Sequence, residues 1–123
     1  MPKFITISTK TELLRIPSEI LMYVTSDGNY STLYTQDGKS RLVSLQLGQI
    51  EDLIGEYFEE DQSPFARLGK SLIVNKDFVF FIDISKQTIT LSDWRGHYVD
   101  KTASRQALTG YKKALESDAY ERI

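Results

Sequence analysis

The sequence predicts a mainly β domain built from short antiparallel strands, and three observations support this fold class. β-branched and aromatic residues alternate with polar residues along most of the 123-residue chain. Glycine and aspartate interrupt these runs at short intervals, which is typical of hairpin turns. Two segments change to helical spacing. We therefore expect an antiparallel meander with one or two small helices.

Five strands are predicted in the first third of the chain, each ending at a turn signal. The turns at Asp27-Gly28 and Asp37-Gly38 are short enough to close hairpins. The breaker Pro17 separates the second predicted strand from the third. The predicted strands cover residues 4–8, 13–16, 20–25, 30–35 and 40–43.

Between Ser44 and Phe58 the apolar period becomes that of a helix. Ser44 is the expected N-cap, because its hydroxyl can accept a hydrogen bond from a free amide of the first turn. One apolar stripe is expected to pack against the core, and its members are Leu47, Ile50, Leu53, Ile54 and Tyr57.

The second half of the chain predicts three more strands and a second helix. In the strand 78–84, the alternating residues Phe78, Phe80, Ile82 and Ile84 are expected to face one side and to supply much of the core. Strands at 88–91 and 97–99 follow turns, and a helix is predicted over 103–115. Its apolar stripe contains Ala107, Leu108, Tyr111 and Leu115.

Length and composition indicate one domain over residues 1–123, expected in the cytoplasm. The chain has no cysteine, which excludes disulfides, thiolate nucleophiles and zinc-thiolate sites and is typical of a reducing compartment. No apolar run reaches membrane-spanning length, and the start of the chain is not that of a secretory signal. We expect no membrane association.

Enzyme chemistry has little support in this sequence. The single histidine, His97, lies beside a predicted hairpin turn, and no Gly-x-Ser-x-Gly elbow accompanies it. The carboxylates of residues 59–61 lack the spacing of a calcium loop. Glycine-rich phosphate cradles are absent from the sequence. We therefore expect no catalytic residue, no metal and no cofactor.

The net charge of -2 hides an asymmetry along the chain. Residues 51–61 hold six acids and no base, whereas residues 62–113 hold nine bases and four acids. A nucleic-acid partner requires a basic surface, so the second segment is compatible with one. Both runs can equally be solvated faces.

The segment 65–75 places a short cationic turn between two apolar runs. Gly69 permits a backbone angle that other residues avoid, and Lys70 and Ser71 are expected to project outward from the turn. An ammonium and a hydroxyl at a tight corner suit a phosphate or a base edge.

Other polar residues stand at predicted corners of the β scaffold. Asn29 and Tyr30 follow the Asp27-Gly28 turn, while Lys101 and Arg105 lie before or within the last helix. Lysine can bond guanine or phosphate, asparagine can read adenine, and tyrosine can stack or bond a phosphate. These residue types favour DNA binding but leave an unspecific protein-interaction domain open.

The order of these features resembles the LytTR-type DNA-binding domain of bacterial response regulators. Residues 20–30 are similar to the family's "I-x-x-I/F-x-S-x-x-N-Y" opening, and Ser44-Leu45 is similar to its Ser/Thr-Leu signature. Residues 65–75 follow "F-x-R-x-H-[RKN]-S-x-x-V-N" with Gly69 in place of the histidine. The resemblance covers about residues 15–115.

The resemblance implies an elongated β fold of about ten strands in three sheets, whose loops enter successive major grooves of double-stranded DNA. It also implies two copies on repeated half-sites. Because the expected receiver domain does not precede this sequence, we expect regulation by a sensor or receiver partner protein, by expression level or by a further part of the protein. The contacts implied are Tyr30 with Asn29, then Lys70, then Lys101, where Asp100-Lys101 replaces the usual Ser-Arg pair. Asn75 is expected to tie its corner through side-chain to backbone bonds.

A second hypothesis is a LytTR-fold module that has lost most of its DNA affinity and binds a partner protein. The acidic segment 51–61 would then be its contact surface.

Overall fold

The computed structural model describes residues 3–59 and 62–117. These residues form ten strands, two α-helices and two 3₁₀ turns. The strands are β1 (Phe4–Ser8), β2 (Leu13–Pro17), β3 (Leu21–Asp27), β4 (Tyr30–Thr35), β5 (Ser40–Val43), β6 (Phe65–Arg67), β7 (Leu72–Asn75), β8 (Val79–Asp83), β9 (Thr88–Ser92) and β10 (Tyr98–Thr102). The helices are α1 (Leu47–Gly55) and α2 (Arg105–Ser117), and the 3₁₀ turns are Ser18–Ile20 and Lys76–Phe78.

The strands pair in three antiparallel sheets. The central sheet has the order β5-β4-β3-β7-β6, so β3 lies in its middle and pairs with both β4 and β7. A two-stranded sheet contains β1 and β2, and a three-stranded sheet has the order β10-β9-β8. The prediction of a mainly β fold in about three sheets with small helices is confirmed.

Two apolar cores lie on opposite faces of the central sheet. Alternation along β7 separates them, because Ile73 belongs to one cluster while Leu72 and Val74 belong to the other. The first core packs α1 and the β1–β2 sheet against the central sheet. The second core packs the three-stranded sheet and α2 against the other face. The central sheet is therefore covered on both sides.

The predicted facing of residues 78–84 is wrong for Phe80. A register shift between Val79 and Phe81 breaks the alternation of β8, as a β-bulge does. Phe78 lies just before the strand and is buried, whereas Phe80 and Phe81 are each 54% exposed. Ile82 is partly buried against the second core. A strict period of two cannot anticipate an inserted residue.

The first helix begins later than predicted, and Ser44 is not its N-cap. The N-cap is Gln46, whose side chain accepts a hydrogen bond from the backbone of Gln49. The Gln49 side-chain oxygen in turn accepts the Gln46 amide at 2.8 Å, which completes a capping box. The apolar stripe was predicted correctly, since Ile50 and Ile54 are buried in the first core.

The second helix was predicted two residues too early at each end, a difference within the usual uncertainty of helix limits. The Ser104 hydroxyl accepts the Ala107 amide at 3.1 Å and so caps the first turn. Leu108 and Tyr111 are buried in the second core, as the stripe predicted. No helix in the described part of the chain is long and apolar enough to cross a membrane.

Candidate nucleic-acid interface

Two turns of the central sheet lie side by side at one of its ends. β3 ends at Asp27 and β4 begins at Tyr30, while β6 ends at Arg67 and β7 begins at Leu72. Because β3 pairs with β7, the β3–β4 turn adjoins the β6–β7 turn. The Ser26 amide donates to the Ser71 carbonyl at 3.0 Å and links the two. We call this region, residues 27–30 and 68–71, the paired turns.

The β3–β4 turn presents Asn29 and Tyr30 to solvent. Gly28 has φ +64° and occupies the first of the two turn positions, as a type II′ hairpin requires. Tyr30 is the first residue of β4 and is about half exposed. Its neighbour Asn29 is exposed as well.

The β6–β7 turn presents Lys70 and Ser71. Gly69 adopts φ +86°, and the Leu68 amide donates to the Leu72 carbonyl at 2.8 Å to close the loop. Leu68 and Leu72 are buried in the second core, so the turn is anchored from below. Lys70 and Ser71 are both exposed, and among the described residues the Lys70 ammonium has no ion-pair partner. This cation is available to an external anion.

Arg67 stabilises the turn through bonds to the backbone of the turn and to α1. Its Nε donates to the Gly69 carbonyl at 2.9 Å, and its Nη1 contacts a Glu51 carboxylate oxygen at 3.0 Å. Glu51 lies on α1, so this side chain connects the helix to the turn. The arginine of the cationic segment is therefore engaged within the protein, and Lys70 carries the charge at the turn.

Gln46 is a residue of this region that sequence reasoning missed. Its Nε2 donates to the Asn29 side-chain oxygen at 2.9 Å and so orients that amide. The sequence signature of a capping box begins with Ser, Thr, Asp or Asn, so glutamine at position 46 gave no local signal for the start of α1. The contact with Asn29 spans 17 residues and left no local signal in the sequence.

Asn75 lies at the opposite end of β7 and is fully buried. Its amide nitrogen donates to the Leu21 carbonyl at 2.9 Å, and its side-chain oxygen accepts the Asp77 amide at 3.0 Å. These bonds tie the start of β3 to the 3₁₀ turn that follows β7. In this structure Asn75 connects two backbone segments, away from the solvent.

Lys101 lies in the three-stranded sheet and Arg105 in α2, so neither belongs to the paired turns. Lys101 belongs to β10, and its ammonium lies 5.2 Å from the ring centroid of Tyr23 and 5.8 Å from that of Tyr34. The two tyrosine rings are stacked at 4.3 Å. Arg105 begins α2 and is exposed.

Tyr23, one of the two stacked tyrosines beneath Lys101, is uncharged near neutral pH. Burial, with a smaller contribution from Tyr34, raises the pKa of Tyr23 to about 12. A neutral ring face attracts the ammonium of Lys101 as a cation–π partner.

Within the described residues, no group of three histidine, aspartate or glutamate side chains could hold a metal ion.

A sequence model of the LytTr DNA-binding domain family matches residues 11–116. Because the match covers most of the 123 residues, the chain belongs to this family, which is a family of DNA-binding domains and not of enzymes. A comparison with curated proteins finds no match.

Among solved structures, the chain is similar to the LytTr DNA-binding domain of a Bacillus cereus protein described as a methyl-accepting/DNA response regulator. The two are 20% identical, and the alignment has a TM-score of 0.62 over 91% of this chain and 95% of the other. At this identity the likeness establishes the fold.

Proposed function

We propose that this chain binds double-stranded DNA in a sequence-specific manner, as the DNA-binding domain of a bacterial transcription regulator. The supporting observation is that the paired turns bring Asn29, Tyr30, Lys70 and Ser71 to one end of the central sheet. Turns at the end of a rigid β scaffold can enter a major groove, where base edges and phosphates are both within reach.

The side chains of the paired turns have three proposed roles. Lys70 contributes charge toward a phosphate or a guanine edge, because its ammonium is exposed at the turn. Asn29, held by Gln46, is the candidate for base recognition. Tyr30 and Ser71 supply hydroxyl contacts to the DNA backbone.

Lys101 and Arg105 form a separate contact region in this proposal. Lys101 lies in the three-stranded sheet and Arg105 in α2, so they would contact a different part of the duplex from the paired turns. Two regions along one protein suit successive grooves, and two copies would then occupy repeated half-sites. A sensor or receiver partner protein would supply the activating signal.

The test is selection of binding sites from a random duplex pool, followed by fluorescence anisotropy of the selected duplex against salt concentration. Affinity should fall with salt, with a slope of about -0.9 for each phosphate neutralised. If Lys70 neutralises one phosphate, Lys70→Ala should lower affinity and reduce the slope by about 1.

Lys39→Ala is the matched control for this experiment. Lys39 is also an exposed lysine in a short connection between two strands, but it follows the end of β4 opposite to Tyr30. It should leave the salt slope unchanged. Equal losses for Lys39→Ala and Lys70→Ala would contradict the proposed orientation, and no preference for duplex over single strands at low salt would exclude the function.

A second candidate function is a LytTR-fold interaction module that acts on a partner protein. It is favoured by the exposed carboxylates of Asp52 on α1, of Glu56 at its C-cap and of Glu59 beyond it. Glu60 and Asp61 lie outside the described residues. The same binding experiment separates the two functions, because this module would show no selected duplex at any salt concentration.

A further inference from the structure

The β9–β10 hairpin has a turn that is fixed by one buried carboxylate. Asp93 accepts hydrogen bonds from the backbone amides of Arg95 at 2.8 Å and His97 at 3.1 Å. Its other oxygen lies 2.8 Å from the His97 ring nitrogen Nδ1. The carboxylate is therefore used within the turn, and the exposed charge next to it is the Arg95 guanidinium. We call residues 94–97 the hairpin tip.

The hairpin tip holds Trp94 in an unusual backbone conformation. Its φ is +61°, a region that bulky residues rarely adopt. The Trp94 amide donates to the Ser92 hydroxyl at 2.9 Å, and the indole donates to the Asp77 carbonyl at 2.7 Å. The ring is nevertheless 54% exposed, with its edge toward Phe80. A large aromatic side chain is thus rigidly presented to solvent, as in many interface hot spots.

A groove of about 580 Å³ lies between the β1–β2 hairpin, the end of β5 and α1. Its walls include Leu13 and Leu42, which are 63% and 68% exposed and are among the most exposed large apolar side chains of the described residues. Its charged lining residues are Glu12, Asp52, Glu56 and Arg41. We call it the acidic groove, because three carboxylates stand against one guanidinium.

The hairpin tip and the acidic groove complement each other but cannot meet within one molecule. The groove adjoins the first core, whereas the hairpin belongs to the three-stranded sheet on the opposite face of the central sheet. An aromatic ring with an adjacent cation matches an apolar groove with acidic walls. We propose that the hairpin tip of one copy docks into the acidic groove of a second copy.

In this arrangement Trp94 contacts the leucine walls, and Arg95 faces Asp52 and Glu56. The contact is heterologous, since two different surfaces of the chain meet, and it joins copies head to tail. A single hairpin tip buries less than the roughly 800 Å² per partner of a standard interface, so the association should be weak in free solution. This inference rests on the proposed function in one respect: adjacent half-sites on DNA would raise the effective concentration of the second copy.

The test uses sedimentation equilibrium without DNA, at high protein concentration. Arg95→Glu and the double variant Asp52→Lys/Glu56→Lys should each weaken self-association roughly tenfold, because like charges then face each other. An equimolar mixture of the two should recover association, because the unchanged tip of one variant meets the unchanged groove of the other and the two changed surfaces are again opposite in charge. Arg95→Glu combined with Asp52→Lys/Glu56→Lys in one chain should restore association.

Lys113→Glu and Glu19→Lys are the control variants, because they change exposed charges outside both surfaces and should leave association unchanged. Far-UV circular dichroism verifies that every variant is folded. Loss of association in Arg95→Glu alone would indicate a symmetric contact of the aromatic face and would overturn the proposal. Unchanged association in both variants would mean that the copies do not meet through these two surfaces, and this would also overturn the proposal. Since no DNA is present, failure here is separate from failure of duplex binding.

Discussion

Gly69 determines how the β6–β7 turn presents Lys70 and Ser71. Its φ of +86° reverses the chain within the short connection between β6 and β7, and both following side chains then point to solvent. In the family motif that residues 65–75 resemble, this position is a histidine. A Cβ at this position would meet no atom within 4 Å, so the constraint at Gly69 is conformational and not steric.

We expect Gly69→Ala to lower the free energy of unfolding by about 1 kcal/mol, because alanine is strained in the left-handed region. Chemical denaturation measures this change. Gly110→Ala is the control: Gly110 lies within α2, has no positive φ and also has open space for a Cβ. That variant should raise stability by up to about 1 kcal/mol. Equal signs for the two variants would contradict the conformational explanation.

The stability of the fold depends on pH through the carboxyl group of Asp93, which accepts the hydrogen bonds of the hairpin tip. Burial raises the pKa of its carboxyl, but hydrogen bonds from the Arg95 and His97 amides and from the His97 ring outweigh burial, so the pKa lies below its ordinary value. A lowered pKa in the folded state means that the ionised carboxylate stabilises the fold above about pH 4. This contribution is lost as the pH falls through the lowered pKa.

Asp93→Asn should therefore lower the melting temperature at pH 7, and the difference from the wild type should shrink below about pH 4. Thermal unfolding followed by circular dichroism between pH 2.5 and pH 7, a range chosen around the ordinary carboxyl pKa, measures this. A difference in melting temperature that stays constant across this range would refute the role of the charge.

At the scale of single elements, the bulge in β8 converts a predicted core strand into a strand with an aromatic outer surface. Phe80 contacts Tyr98 edge to face, with ring centroids 4.9 Å apart, and it also contacts Trp94. Phe78, which was also predicted to face the core, does enter the second core, from the 3₁₀ turn before the strand. One inserted residue therefore exposes Phe80 and leaves Phe78 buried.

The different burial of Phe78 and Phe80 predicts very different losses of stability for two similar substitutions. Phe78→Ala should reduce the free energy of unfolding by about 3 to 5 kcal/mol, as a cavity in a packed core does. Phe80→Ala should reduce it by about 1 kcal/mol or less, because the ring is half exposed and loses mainly aromatic contacts. Urea denaturation of both variants gives the comparison, and similar losses would show that Phe80 is packed in the core.

The capping box of α1 links an element boundary to the candidate interface. Gln46 ends the connection from β5 by accepting a bond from the first turn of the helix, and the same side chain donates to Asn29. Glu51, one turn further along, contacts Arg67 of the β6–β7 segment. The first turns of α1 thus stabilise both of the paired turns.

At the scale of the whole molecule, the central sheet separates two surfaces with different chemistry. Its first face carries α1 and the acidic groove, and its second face carries the three-stranded sheet with the exposed aromatic residues. The end of the sheet carries the paired turns. DNA binding and association between copies can therefore use separate parts of the surface at the same time.

The acidic and basic segments of the sequence do not become two uniform faces. Within the acidic segment, Glu51 pairs with Arg67, whereas Asp52 and Glu56 line the acidic groove. Within the basic segment, Lys101 lies over two tyrosine rings and Lys112 pairs with Glu116 at 3.1 Å. The net charge of -2 accordingly says little about the charge at the paired turns, where Lys70 is exposed.

Local sequence patterns were enough to predict most of the secondary structure and the family. Alternation, turn residues and helical stripes depend on neighbours within a few positions, so eight strands and both apolar stripes could be predicted locally. The count of about ten strands followed from the family resemblance. The ordered motifs around Tyr30 and around Lys70 identified the family, and the match over residues 11–116 confirms it.

Which residues contact each other depends on the three-dimensional packing of the chain. The pairing of β3 with β7 brings Asn29 and Lys70 to one end of the sheet, although they are far apart in sequence. The link from Gln46 to Asn29 and the exposure of Trp94 and Phe80 likewise depend on long-range pairing and on a bulge. Such contacts form when distant segments pack together, and no local pattern of residues encodes their partners.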